Sequence, residues 1–113
     1  MADTLELADF LSFFEAEPEV LDTDVGWSCG ARFVSVRGPD RIEAVIAPDD
    51  ASFKFRWWQN GTLRADINLE GIVGWKLEST SQHETLFLSF HQPGIALFRL
   101  QLKPAICISW VTQ

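Results

Sequence analysis

The sequence predicts an α+β, mainly β fold: an amino-terminal helix packed on a seven- to eight-stranded antiparallel sheet that forms a sandwich or a partly open barrel. Three observations lead there. Apolar residues recur with helical spacing only in the first seventeen positions, the period falls to two from residue 27 onward, and turn residues then punctuate the chain at short, regular intervals. The 113 residues fit a single domain, divided as a helix at 1–17, an acidic linker at 18–26 and antiparallel β structure at 27–113. A domain of that size buries about two-thirds of its unfolded surface, enough for a core without disulfides or metal.

The helix is read from Leu7, Phe10, Leu11 and Phe14, which recur at i, i+3, i+4 and i+7 and make one apolar stripe, with Asp3 and Glu6 in a box-like cap. Pro18 restricts the residue before it, so the helix should end by Glu17. Runs rich in Val, Ile, Leu, Phe and Trp then fall near 29–37, 41–47, 51–58, 62–70, 72–78, 84–91, 95–102 and 105–111. Turn chemistry separates most of them, as "GPD", "PDD", "QNG", "QPG" and "KP". No segment among them could be a parallel crossover helix. Gly71 and Gly74 mark a bulge or a corner between two sheets.

The stretch "FKFRWWQNGTLRADINL" at 53–69 poses a question of faces, because neighbours on a strand point opposite ways and Trp57 precedes Trp58. A two-residue Asn60-Gly61 turn would set Phe55 against Asp66. A three-residue loop, Gln59 to Gly61, instead pairs Trp58 with Thr62, Trp57 with Leu63, Phe55 with Ala65 and Phe53 with Ile67, and leaves one face wholly apolar. That second register is expected here. It puts Lys54, Arg56, Trp58, Arg64 and Asp66 on the other face, with Arg56 across from Arg64. Trp58 is then either an outward anchor beside three cations or a residue covered by the helix, and a helix on one side of a sheet favours cover.

Net charge is −7, and all of it lies in the first segment: residues 1–31 hold eight acids and no Lys or Arg, whereas residues 32–113 hold nine bases and eight acids. Glu15 and Glu17 fall at the carboxyl end of the helix, where the macrodipole disfavours acids by about 0.3 to 1 kcal/mol each. A cationic partner would turn that cost into attraction. Glu15, Glu17, Glu19, Asp22 and Asp24, with Trp58, Arg56 and Arg64 on the hairpin, are therefore the candidate partner-binding residues. Nucleic acid is not the expected partner, because phosphate binding requires excess positive charge and the sequence pI is about 4.6.

Catalytic constellations do not assemble. "GWSCG" at 26–30 has the form of a nucleophile elbow, but an acidic linker precedes it and a strand follows, so Ser28 is read as structural. His83 lies in a polar loop and His91 at a strand end, without the third ligand that a metal site needs. Asp49 and Asp50 follow Pro48 as turn residues. Cys29 and Cys107, far apart and outside any C-x-x-C, read as buried small hydrophobes in a reducing compartment. "MADTLELADF" carries acids where a signal peptide carries bases, and no apolar run reaches a membrane span, so a cytoplasmic, non-enzymatic protein without cofactor is expected.

The passages "INLEGIVGWKLES" (67–79) and "LFRLQLKPAICISW" (97–110) resemble the carboxyl half of small bacterial immunity proteins of polymorphic toxin systems, nearest the immunity protein 50 type. The resemblance implies a cytosolic antidote that binds and blocks a cognate toxin domain, and transfers no individual binding residues. The leading expectation is thus a protein-binding module that neutralises a basic toxin domain. The alternatives are a small β-barrel or sandwich with an apolar ligand in an interior lined by Phe and Trp, or an orphan domain.

Overall fold

The computed structural model describes residues 5–80, 82–90 and 94–112. The described residues are mainly β, with one α-helix, α1 (Leu7–Phe14), and nine strands: β1 (Glu19–Val20), β2 (Ala31–Arg37), β3 (Asp40–Ala47), β4 (Ser52–Gln59), β5 (Thr62–Leu69), β6 (Ile72–Ser79), β7 (Glu84–Phe90), β8 (Ile95–Lys103) and β9 (Cys107–Thr112). The eight longer strands fall on the eight runs read from the sequence. The strands form two antiparallel sheets in chain order, β1 to β5 and β6 to β9, with no closed barrel. None of the described helices is long and apolar enough to cross a membrane. The chain groups into two compact units, Phe14–Glu70 and the remainder.

In the unit Phe14–Glu70 every strand pairs with its chain neighbour, so the register follows from the hairpins. One face carries Phe33, Ile42, Ala44, Ile46, Phe53 and Phe55, each at most 1% exposed, and Phe14 stacks on Phe33 with ring centroids 4.9 Å apart. Trp57 stands on this same face at its less buried end. Its indole N–H donates to Asp40 Oδ1 at 2.9 Å, and Gln59 Nε2 donates to the same oxygen at 3.2 Å. A half-buried indole usually finds such a partner, since an unmet donor there costs about 1 to 3 kcal/mol.

The β4–β5 hairpin corrects the expected register. Asn60 (φ 51°) and Gly61 (φ 79°) are both left-handed, the geometry of a two-residue turn, and Gln59 pairs with Thr62 and Trp58 with Leu63. One residue, Arg64, is then left unpaired as a bulge, and Trp57 faces Ala65, Arg56 Asp66, Phe55 Ile67 and Phe53 Leu69. Apolar still meets apolar, but through the bulge rather than a longer loop. Arg56 consequently lies across from Asp66 and not from Arg64, with Arg56 Nε 3.4 Å from Asp66 Oδ1, so opposed like charges are avoided.

Two expectations about the first 26 residues also change. The helix is Leu7–Phe14 rather than 1–17, and its buried residues are Phe10, Phe13 and Phe14, while Leu11 is 37% exposed. Eight residues are too few for a stable isolated helix, whereas burying each Phe contributes about 1.5 to 3 kcal/mol, so packing and not propensity holds it. Asp9 takes the capping part expected of Glu6, accepting the Glu6 N–H at 2.7 Å; the Asp3 cap lies outside the described residues. Glu15, left-handed at φ 53°, ends the helix before Pro18 does. The linker is not wholly irregular: Glu19 and Val20 pair with Arg32 and Ala31, and Trp27–Cys29 forms one 3-10 turn.

The other unit, residues 1–13 and 71–113, holds the second sheet. Leu86, Leu88, Phe98, Leu100 and Leu102 alternate with more exposed residues along β7 and β8, and Phe10 meets Trp75 edge to face at 6.0 Å. Glu84, 9% exposed, is neutralised by Lys103 Nζ at 3.2 Å. Gly71 (φ 75°) stands where the chain leaves one sheet for the other, and Val73 is the extra residue of a bulge in β6, as the two glycines suggested.

Replacing Asp40 with Ala should lower the unfolding free energy in urea by about 1 kcal/mol, the cost of stranding a half-buried donor. In a Trp57→Phe background the same change should cost distinctly less, because the indole N–H is gone.

Candidate functional site

The unit Phe14–Glu70 carries all eight candidate residues, in two separate places. The five acids lie along 15–24 beside β1, at one margin of the five-stranded sheet. The hairpin residues lie on the more exposed face of β4 and β5.

On that face, residues in register make rows across the strands. Val36, Arg41, Trp58 and Leu63 form one row, and Val34, Glu43, Arg56 and Asp66 the next. Trp58 is only half-buried, and the Arg41 guanidinium sits 4.9 Å from its ring centroid, within reach of a cation–π contact. Phe14 packs on Phe33, on the opposite face of this sheet from Trp58. The cation beneath it comes from β3. Val36 (69% exposed) and Leu63 (49%) extend the row on both sides, and Arg64 is exposed in the bulge.

The second row is an alternating ladder. Arg32 pairs with Glu43 at 3.1 Å and Arg56 with Asp66 at 3.4 Å, while Glu43 and Arg56 are register partners. Glu43, Arg56 and Asp66 line a shallow polar groove of about 210 Å³ with Lys54 and Asn68. Such exposed pairs contribute little to stability, about 0 to 1 kcal/mol each, but they fix where charge is presented.

Along the acidic segment the roles divide. Glu15 lies 3.8 Å from the Arg37 guanidinium, which also donates to the Phe14 carbonyl at 3.1 Å. The helix end therefore receives an internal cation, and the dipole argument for an external one is answered at Glu15. Glu19 reaches Arg32 at 4.0 Å. The Asp22 carboxylate accepts the N–H groups of Asp24 and Val25, a local turn. Among the described residues Glu17, Asp22 and Asp24 pair with no cation, and all three are exposed.

The "GWSCG" turn closes on Asp49. Ser28 Oγ donates to Asp49 Oδ2 at 2.9 Å and Cys29 Sγ to the same oxygen at 3.4 Å. Ser28 thus faces a carboxylate rather than an imidazole, and Asp49 holds two turns together. Burial, then the hydrogen bond and negative charge of Asp49, push the Cys29 thiol up from its ordinary value. Cys107 is exposed, contrary to the expectation of a buried hydrophobe, and Cys29 is half-buried; both are free thiols. His83 lies in its loop, with its carbonyl accepting the Thr80 N–H, and His91 falls outside the described residues. Among the described residues there is no group of three or more His, Cys, Asp or Glu placed to hold a metal.

Sequence reasoning missed a groove of about 530 Å³ on the four-stranded sheet, lined by Val73, Gly74, Lys76, Phe87, Ser89 and Leu97 among others. Gly74 is one of its lining residues, and a Cβ there would meet Ser89 Oγ, so a larger residue requires Ser89 to move. Phe33, Phe53, Phe55 and Phe98 are buried.

Comparison with known proteins gives one informative match. A chain of a solved structure described as a contact-dependent growth inhibition toxin–immunity protein complex from Klebsiella pneumoniae 342 superposes with a TM-score of 0.79, at 11% identity, over 97% of this chain and 96% of that one. At that identity the likeness establishes a shared fold. No protein-family model and no curated protein matches the sequence.

Thiol chemistry checks the Asp49 contact. With iodoacetamide at neutral pH, peptide mass spectrometry should show Cys107 labelled well before Cys29. Asp49→Asn removes the charge and weakens the acceptor that favour the protonated thiol, so Cys29 labelling near pH 8 should rise while Cys107 labelling stays constant.

Proposed function

We propose that this chain is a non-enzymatic protein-binding module of the immunity kind, an antidote that neutralises a basic toxin domain. One observation carries the reading: a fold shared end to end with a chain of a toxin–immunity protein complex. The charge distribution supports it. An acidic, exposed segment on a protein of net charge −7 attracts a basic domain over a distance and selects against acidic ones. The action is occlusion: the antidote needs no nucleophile or base, only a surface that covers the toxin's own site.

Within the acidic segment, Glu17, Glu19, Asp22 and Asp24 are the contact residues, since Glu15 serves the helix end. Trp58, with Arg56 and Arg64 beside it, supplies a second contact of a different chemistry, a cation-backed aromatic flanked by exposed Val36 and Leu63. The compartment is the cytoplasm, where a toxin that enters the cell would be met.

The test uses the protein captured by this chain from lysate of its source cell. That protein should be basic, arrest growth when expressed alone, and lose the effect when this chain is co-expressed. Glu17→Gln, Glu19→Gln and Asp24→Asn together should weaken its binding about tenfold or more at low salt, and less at moderate salt. Glu15 and Asp22 stay native because they hold the local fold. An affinity unchanged by the triple variant and by salt would refute the acidic-surface reading.

A further inference from the structure

Four strands form the margins of the two sheets: β1 and β5 of one, β6 and β9 of the other. A sheet margin is a row of backbone donors and acceptors able to pair with another chain, and proteins blunt it with shortness, bulges, charge or proline. Three margins here carry such devices. β1 is two residues long and begins with Glu19. β5 has the bulge at Arg64 and carries Asp66. β6 has the bulge at Val73 and carries Lys76 and Glu78.

β9 carries none. Cys107, Ile108, Ser109, Trp110, Val111 and Thr112 include no charge, no proline and no glycine, and among the described residues the strand pairs with β8 alone. The irregularity in that pair belongs to β8, at Ala96, so β9 contributes no extra residue to it. Cys107 and Thr112 are exposed, as are Trp110 (49%) and Val111 (46%), which point to opposite faces.

We propose that β9 is a self-association edge: two copies of this chain pair antiparallel through β9, joining their four-stranded sheets into one of eight strands. Three arguments select a second copy as the occupant. An uncharged strand meets its own copy without opposing like charges, in a protein whose net charge makes most other self-contacts repulsive. The other three margins are blunted, so the open edge of one copy finds its match only in the open edge of another. A contact in which the same strand serves both partners is two-fold and closed, which stops at a dimer instead of running on as a fibre. Trp110 and Val111 then gain cover on the two faces of the junction.

Because each copy carries −7, screening favours the dimer, so it tightens as salt rises. The proposal does not rest on the antidote reading, whose partner contact weakens with salt, so the two can fail separately.

Sedimentation equilibrium of the full chain, from about 1 to 200 µM, reads the association directly. A reversible dimer is expected that tightens between low salt and about 0.5 M. Val111→Lys restores the charge that the other margins carry and should weaken it about tenfold or more, with the far-ultraviolet circular dichroism of the monomer unchanged. If that substitution disturbs the strand, Thr112→Lys applies the same test at its end. A chain that stays monomeric at the highest concentration, a dimer that folded Lys variants leave equally tight, or one that salt dissociates would each overturn the proposal.

Discussion

Between Trp57 and Ala65, β5 has one residue more than β4 can pair, and most of what distinguishes the two faces of the five-stranded sheet depends on it. The tight Asn60-Gly61 turn alone would set Phe55 against Asp66 all the way down the hairpin. By leaving Arg64 unpaired, the bulge advances β5 by one, so that Ala65, Ile67 and Leu69 meet Trp57, Phe55 and Phe53 on the buried side. Lys54, Arg56 and Asp66 then share the other side, where Arg56 and Asp66 attract. A slip of one residue exchanges whole faces, which is why a single bulge has this reach. Trp57 and Trp58 thereby receive different tasks, one hydrogen-bonded to Asp40 and one laid against Arg41.

Charge is organised on the same principle of local settlement. Arg37 answers Glu15 at the end of the helix, Arg32 answers Glu43, and Arg56 answers Asp66. Among the described residues, Glu17, Asp22 and Asp24 are exposed carboxylates without a cation of their own. Weak, solvated charges of this kind contribute almost nothing to stability. They contribute to encounter and to choice of partner, which is the use that the proposed antidote makes of them.

Much of the fold was legible because period and turn chemistry are local. The eight runs of alternating or continuous apolar residues became the eight longer strands, and Gly71 correctly marked the passage between sheets. The misreadings share a cause, in that each required knowing what lies across from a residue. The bulge at Arg64 satisfies the same rule, apolar facing apolar, that a longer loop would have satisfied, and sequence offers no means to choose between them. Leu11 matched the helical period as well as Phe13 did, but tertiary packing took Phe13. Glu15 looked misplaced only while Arg37, twenty-two positions on, was out of view. The groove around Phe87 was hidden for a similar reason, since its walls come from three strands.

The pairing around Arg64 can be tested by deleting that residue. Because Arg64 is extra to the ladder, its removal should leave Trp57 opposite Ala65 and Phe55 opposite Ile67, keep their cross-strand nuclear Overhauser contacts, and change the unfolding free energy by no more than about 1 kcal/mol. A bulge-free ladder would respond differently: the deletion would turn every later residue of β5 onto the wrong face. Loss of several kcal/mol, or of the native fold, would therefore contradict the account.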